Sequence, residues 1–480
     1  MTTSFTLPTE LQQLLTTEQA WHYTVIPKEV NGNSICLYVD ESASPNGIAD
    51  ELELLLGKTI ILEAASSELI KKNLGKYYLR NTRETAKDKS TKALSAKSGE
   101  DFLPSLIAEA KQLGSSDIHI ETFEERARVR IRIDGLLVER YAISKSDYPA
   151  LVNKIKIRAN LDIAEKRLPQ DGRIFFQQEN MKFDIRVSVL PTLHGEKVVL
   201  RLLSNDATSI DIRTLGFTDV QLEDYLDGVK RPHGILLISG PTGSGKTTTL
   251  YATLKLLNKE TTNILTVEDP IEYTLEGINQ VQLKESIGLT FAGTLRTFLR
   301  QDPDIIMLGE IRDAETAQMA VRAALTGHLV LSTIHTNSAW GTVSRLVDMG
   351  VPPFLIANTL NTSVAQRLVR LLCPHCRKEK ELARSAFPRH FKLPRPIEKI
   401  SVPGGCEQCY YTGYRGRKAI YEVVPIDSEL SECIKLMNDF PAEIYKQRNI
   451  HTLSESAFRL LENGETSVDE IYSILSHAHN

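Results

Sequence analysis

The sequence predicts an α/β protein of several domains, and three observations carry that prediction. From about residue 230, the apolar runs "GILLISG", "NILTVED", "DIIMLGE" and "HLVLSTIH" alternate with helical stretches. This is the pattern of a parallel sheet with helices on both faces. Upstream, "RARVRIRIDGLLVER" and "KFDIRVSVLPTLHGEKVVLRLL" alternate apolar and polar residues, as half-buried hairpins do. The chain has 480 residues, 41% hydrophobic and 25% charged. That is ordinary globular composition, long enough for about two to four domains.

Taken in order, residues 1–79 read as a small α/β module. "SICLYVD" and "TIILEA" have strand character, and "GIADELELLL" and "SELIKKNLGKYY" have helical spacing. Residues 80–100, "RNTRETAKDKSTKALSAKSGE", are polar and Lys-rich without periodicity, and predict a flexible linker. Solvation explains its charge; weak contact with an anionic membrane surface is the sharper option. Residues 101–228 form a second α/β unit. It opens with the helix "DFLPSLIAEAKQLG", and Asp134-Gly135 makes a two-residue hairpin turn. Arg186 and Arg201 fall on the outward side of its later strands, where spacing alone describes a solvated face. Residues 229–367 carry the parallel-sheet pattern. Residues 368–422 are turn-rich and hold four cysteines, and residues 423–480 read as helical, with "ETSVDEIYSIL" placing Ser/Thr before a helix. No fixed-period repeat is present.

Net charge is −4, which gives no global cationic surface for nucleic acid. No apolar run approaches the roughly 20 residues needed to span a bilayer. The start, "MTTSFTLPTELQQLL", lacks a basic segment followed by an apolar core. The expectation is a cytosolic protein that reaches a membrane only through partners or a peripheral surface.

The segment Gly240-Pro241-Thr242-Gly243-Ser244-Gly245-Lys246-Thr247 fits G-x-x-x-x-G-K-[ST] in full, between an apolar strand and a helix, with Thr248 continuing the run. Such glycines let backbone N–H groups cradle phosphate oxygens, and the helix N-terminus adds positive potential. Lys246 is expected on the β- and γ-phosphates and Thr247 on Mg²⁺, with ATP as the nucleotide. Glu310 ends the strand "DIIMLGE" and is the candidate base; Gly309 stands where a metal-associated Asp would be in the more general motif. "TVEDP" offers Glu268 as a second carboxylate, with Asp269 and Glu272 nearby. A strand-end salt bridge is the plainer role for any of them. His335 follows "HLVLSTI" at its carboxyl end and is a candidate γ-phosphate sensor, whereas His328 at the other end is read as structural.

The six cysteines divide into two close pairs, Cys373 with Cys376 and Cys406 with Cys409, and two isolated residues, Cys36 and Cys433, read as buried thiols. Four thiolates suit tetrahedral Zn²⁺ and would staple a segment too loop-rich to build its own core. The 29 residues between the pairs exceed the usual gap, so "HFKLPRPIEKIS" must loop out. Thiol redox chemistry is the lesser alternative.

Together these pieces resemble the secretion and type IV pilus assembly ATPases, the GspE/PilB-like family. The resemblance rests on the phosphate loop, "TVEDPIEY", "LRQDPDIIMLGEIRD", "TGHLVLSTIHTN", "QRLVRLLCPHC" and "GCEQCYYTGYRGR". Upstream it also rests on "SDIHIE", "RIRIDG", "RLPQDGRI" and "RVSVLPTLHGEKVVLRLL", so it covers nearly the whole chain from about residue 101. It implies a PAS-like domain followed by a RecA-like motor, a homohexameric ring, and ATP bound between the two domains. It also implies that Arg186 and Arg201 close on the γ-phosphate, and that motion passes to an inner-membrane platform protein and a membrane-bound docking protein. Nucleic acid is not expected as a partner, and peripheral contact with acidic lipid is an option. Pilus retraction ATPases are similar in the motor but lack the paired cysteines and the amino-terminal extension, which favours secretion or assembly. From other classes, a RecA-like nucleic-acid motor is the main alternative; a small-molecule kinase or a passive binding module accounts for fewer of the motifs.

Overall fold

The computed structural model describes residues 7, 11, 14–32, 34–41, 47–78, 99–178, 181–203, 211–382, 384–438 and 440–476. Residues 80–98 of the expected linker lie outside these. Residues 99 and 100, expected at its end, instead open the helix Gly99–Gln112. The chain divides into two units, residues 1–202 with 405–412, and residues 203–404 with 413–480.

In the first unit, β1 (Val25–Asn31), β2 (Ser34–Asp40) and β3 (Thr59–Ala65) form a small sheet, with β1 antiparallel and β3 parallel to β2. Its core is Val25, Ile35 and Leu37 against Leu52, Ile70 and Leu74 of two helices. A second sheet has six strands: β4 (Asp117–Thr122), β5 (Ala127–Ile133), β6 (Leu136–Ile143), β7 (Gln170–Gln178), β8 (Met181–Thr192) and β9 (Gly195–Leu202). They run in the order β6-β5-β4-β9-β8-β7, all neighbours antiparallel. The turn joining β5 to β6 places Asp134 at φ 48° and Gly135 at φ 84°, the doubly positive geometry that a two-residue hairpin needs. The alternation seen in the sequence buries Ile118, Val129, Ile185, Val187 and Leu200 under the helices Gly99–Gln112 and Tyr148–Arg158. The opposite face of this sheet is charged.

The second unit is built on seven strands: β10 (Gly234–Ser239), β11 (Ile264–Glu268), β12 (Asn279–Gln282), β13 (Ile305–Leu308), β14 (Leu329–Ile334), β15 (Leu360–Leu372) and β18 (Tyr414–Pro425). The order is β12-β11-β13-β14-β10-β15-β18. All pairs are parallel except β15 with β18, which is antiparallel. That last pair departs from the purely parallel expectation. Its thirteen-residue strand "LNTSVAQRLVRLL" runs on past residue 367, and β18 runs past residue 422, so both cross the domain limits read from the sequence. The cysteine segment hangs from the far end of this pair, with β16 (Lys378–Glu381) and β17 (Lys399–Val402) as a two-stranded ribbon.

Residues 211–228, expected with the upstream domain, group with the second unit. Phe217 stacks on Tyr421 with ring centroids 3.7 Å apart, and Gln221 Nε2 donates to Tyr421 O at 2.8 Å. The carboxyl-terminal helices, Leu453–Glu462 and Val468–Ser476 among them, share the core of the sheet through Phe458, Leu461 and Ile471. No helix among the described residues is long and apolar enough to cross a membrane.

Candidate active site

β10 is buried at every residue, so it ends rigidly at Ser239. The chain then turns through Gly240 at φ 150°, Gly243 at φ 82° and Gly245 at φ 88° into the helix Lys246–Leu257. At Gly240 a Cβ would lie 2.5 Å from Gln366 O, and at Gly245 one would lie 2.9 Å from Gln366 Nε2. Glycine is therefore required both for the loop's left-handed turns and for its close seat against β15. Lys246 is buried and its Nζ donates to Gly240 O at 2.8 Å and Pro241 O at 3.1 Å. Burial holds its pKa below the usual lysine value, while Glu310 pulls it back up. Thr242 and Thr247 are exposed on the loop, and Ser244 is buried within it.

Glu310 emerges just beyond β13. Gly309 N donates to Val267 O at 2.8 Å and Thr333 Oγ1 donates to Gly309 O at 2.8 Å, so the turn carrying the carboxylate is clamped between β11 and β14. Its side chain retains 19% exposure. One oxygen pairs with Arg312 and the other lies 3.3 Å from His335 Nε2. Burial alone would raise its pKa, but Arg312 and His335 outweigh burial and hold it below the usual carboxylate value. Arg312 also lies 3.5 Å from Asp269. The structure thus brings Glu310 and Asp269 together at Arg312, with His335 on the other oxygen of Glu310; Arg312 is a residue the sequence reading passed over inside "GEIRD".

Glu268 stands apart from these residues. It is 3% exposed, and Thr266 Oγ1 donates to it at 2.6 Å, Gln280 Nε2 at 3.1 Å, and Tyr251 through its hydroxyl. Both its oxygens are engaged in bracing the helix of the phosphate loop to β11 and β12. His328 is tied to Ala323 O at 2.8 Å, at the end of the helix Ala314–Leu325, in keeping with its structural reading. Arg367 was also missed: half-buried beside Gly240, it donates to Gln366 O at 3.0 Å and Asn337 O at 3.1 Å. Its only sequence signal is an outward place in the alternating "QRLVR".

In the first unit, Arg186 on β8 lies directly opposite Arg201 on β9. Arg201 keeps 60% of its side chain exposed, and its Nε donates to Asp117 Oδ1 at 2.9 Å. The four paired cysteines converge, each with its sulfur within 4.8 Å of the others. Cys373 and Cys409 are buried, and Cys376 and Cys406 partly so. The turns that present them are tight: Cys376 N bonds Cys373 O at 3.2 Å and Cys409 N bonds Cys406 O at 3.1 Å. A Cβ at Gly404 would fall 1.9 Å from Cys376 O, so the two turns can approach only at a glycine. Four soft sulfur donors with no other ligand type in the group make a cage suited to a metal ion.

The profile of the family described as "Type II/IV secretion system protein" matches residues 92–473. The chain belongs to this family. Type II secretion system ATPase E of Vibrio cholerae serotype O1 is 46% identical over 377 residues, which cover 78% of this chain and 74% of that one. The type IV pilus assembly ATPase PilB of Myxococcus xanthus is 41% identical over 498 residues, covering 97% of this chain and 87% of that protein. Among solved structures, the Legionella pneumophila ATPase DotB superposes with a TM-score of 0.60 at 22% identity, over 82% of this chain and 98% of the other. The pilus retraction motor PilT with bound ADP does so with a TM-score of 0.53 at 25% identity, over 78% and 96%. As a member of the type II/IV secretion family, the protein is an ATPase with a RecA-like motor, and the nucleic-acid alternative finds no support among these relatives.

Proposed function

We propose that the protein is the ring-forming motor of a type II secretion or type IV pilus assembly system, working at the inner face of the inner membrane. In this reading it hydrolyses ATP to drive pseudopilin or pilin assembly through a platform protein and a docking protein. The observation that carries the proposal is the placement of Glu310, poised by Arg312 and His335 at the strand ends beside the phosphate loop, in a chain similar along most of its length to both secretion and pilus ATPases.

The roles proposed rest on these placements and, for Arg186 and Arg201, on the resemblance to the family. Lys246 exchanges the carbonyls of Gly240 and Pro241 for the β- and γ-phosphates. The glycines of residues 240–245 direct N–H groups at the same oxygens, with Thr247 and Thr248 at the helix start. Bound at Thr247, Mg²⁺ would neutralise charge between the β- and γ-phosphates. Glu310, ionised at neutral pH, orients the attacking water and accepts its proton. His335 holds the carboxylate and reads the γ-phosphate side of the site. Glu268 acts at one remove, by fixing Tyr251 and with it the helix behind the loop. Arg186 and Arg201 meet the γ-phosphate, from the same chain or a neighbour in a homohexamer, so that closure depends on the triphosphate. Zn²⁺ is the metal proposed for Cys373, Cys376, Cys406 and Cys409.

The deciding experiment measures phosphate release by the purified protein alone, with single-stranded DNA, with acidic vesicles, and with the cytoplasmic domain of the platform protein. Stimulation by the platform domain or acidic lipid is expected. Strong stimulation by DNA alone would overturn the secretion reading.

A further inference from the structure

The charged face of the six-stranded sheet carries one residue row that differs from its surroundings. Strand register places Arg173 of β7 opposite Arg186 of β8, Arg186 opposite Arg201 of β9, Arg201 opposite Asp117 of β4, and Asp117 opposite Arg132 of β5. Directly paired residues project from the same face. The flanking residues Ile174, Ile185, Val187, Leu200, Ile118 and Ile131 are buried on the other face, so this row points outward.

Elsewhere on the face, cations alternate with carboxylates. Glu121 takes Arg128 at 2.9 Å, Arg130 at 2.8 Å and Lys197 at 3.2 Å. Asp117 takes Arg201 at 2.9 Å and Arg132 at 3.5 Å. The other end of the row is different: three arginines follow one another across three strands. Asp171 and Asp184 lie on the same face, two residues along their strands, rather than in the row. Among the described residues the side chain of Arg173 makes no hydrogen bond or ion pair, and it is exposed on an edge strand. Like charges directly opposite each other in a sheet are destabilising. Backbones at the strand spacing of about 4.8 Å put the three Cα atoms within about 10 Å, a span that long guanidinium arms can converge across.

We propose that Arg173 is a third phosphate-reading arginine, which joins Arg186 and Arg201 on the terminal phosphates of a nucleoside triphosphate. Asp117, at the far end, orients Arg201 through Nε and leaves its terminal nitrogens for the ligand. The inference rests on the γ-phosphate role given above to Arg186 and Arg201. It adds a residue to that role and predicts discrimination between tri- and diphosphate. Guanidinium forks suit this task because each can donate two parallel hydrogen bonds to phosphate oxygens.

The test is titration of the full-length protein with a non-hydrolysable ATP analogue and with ADP. Wild type is compared with Arg173→Ala, Arg173→Lys and Arg201→Ala, and circular dichroism checks each fold. Loss of a charge-assisted contact should weaken the analogue about tenfold or more in Arg173→Ala, with ADP binding unchanged. Arg173→Lys should recover part of that loss. If Arg201→Ala weakens the analogue and Arg173→Ala does not, this inference fails and the reading it rests on stands. If neither variant changes the ratio of analogue to ADP affinity, both fail and the row is a solvated face. A parallel arm uses phosphatidylglycerol vesicles. If Arg173→Ala lowers vesicle binding and leaves nucleotide affinity intact, the row reads a lipid phosphate and the nucleotide assignment is overturned.

Discussion

Glu310 stands between Arg312 on one carboxylate oxygen and His335 Nε2, 3.3 Å from the other. Lys246 lies close enough for Glu310 to raise its pKa. The carboxylate is therefore held in one orientation beside the phosphate loop. Glu310→Gln keeps the shape and removes the charge and the proton acceptor. It should still bind ATP, while turnover falls about 10²–10⁴-fold if Glu310 acts as base. Radiolabelled ATP retention with phosphate release measured on the same sample separates the two. Near-normal turnover would move the base elsewhere, and the engaged oxygens of Glu268 make that residue a poor replacement.

The acidic limb of the kcat/KM profile should report the same group. Glu310 has its pKa below the ordinary carboxylate value, so it stays ionised through neutral pH and activity is lost only as pH falls through that depressed value. Burial pushes the other way, and Arg312 is the largest of the effects opposing it. Arg312→Gln should therefore shift the limb to higher pH. An unmoved limb would mean that a different group governs it.

The tetracysteine cage should retain about one zinc per chain through purification, measured by elemental analysis. Cys376→Ser should lower that occupancy, and chelation should raise amide exchange across residues 373–413 far more than across β10 or β14. The reason is that the four sulfurs converge there from both turns, whereas β10 and β14 are held by the parallel sheet. A protein that carries no metal, or whose exchange is indifferent to chelation, would contradict the assignment.

Much of this was legible because apolar patterning dictates which face of each strand is buried. The glycine positions of the phosphate loop and the cysteine pairs are equally explicit in the chain. Strand pairing is not written there in the same way. Nothing local tells that Arg173, Arg186, Arg201 and Asp117 fall in one row, because register depends on how β7, β8, β9 and β4 align across the sheet. Antiparallel β15 and β18 escaped the reading because 41 residues separate their facing ends, and the cysteine turns between them look like a domain of their own. Glu268 and Glu310 are both strand-end glutamates in sequence. Only packing separates one locked under Tyr251 and Gln280 from one held by Arg312 and His335.

The last prediction concerns Glu422, buried in the middle of β18, whose carboxylate joins three elements. Ala339 N donates to it at 3.2 Å, Leu453 N at 3.3 Å and Tyr445 Oη at 3.3 Å. Ala339 lies in the segment that leads on from β14 through His335, and Leu453 opens a carboxyl-terminal helix, so one side chain ties that segment to the helix. Burial pushes its pKa up to about 7, and the three donors and Arg367 offset only part of that. The sign of the linkage follows. A carboxyl with a raised folded-state pKa contributes stability in its neutral form below the unfolded value, and that contribution is lost as pH rises through about 7. The shift from 4.5 to about 7 corresponds to about 3 kcal/mol. Denaturant midpoints of the wild type should therefore fall between pH 5 and 8, on the order of that amount in free energy. Glu422→Gln, which cannot ionise, should flatten the slope. Its amide NH₂ meets a backbone donor where an oxygen stood, so a lower plateau is expected together with the flattening. If the variant keeps the wild-type slope, Glu422 does not titrate in this range and another buried group sets the pH dependence.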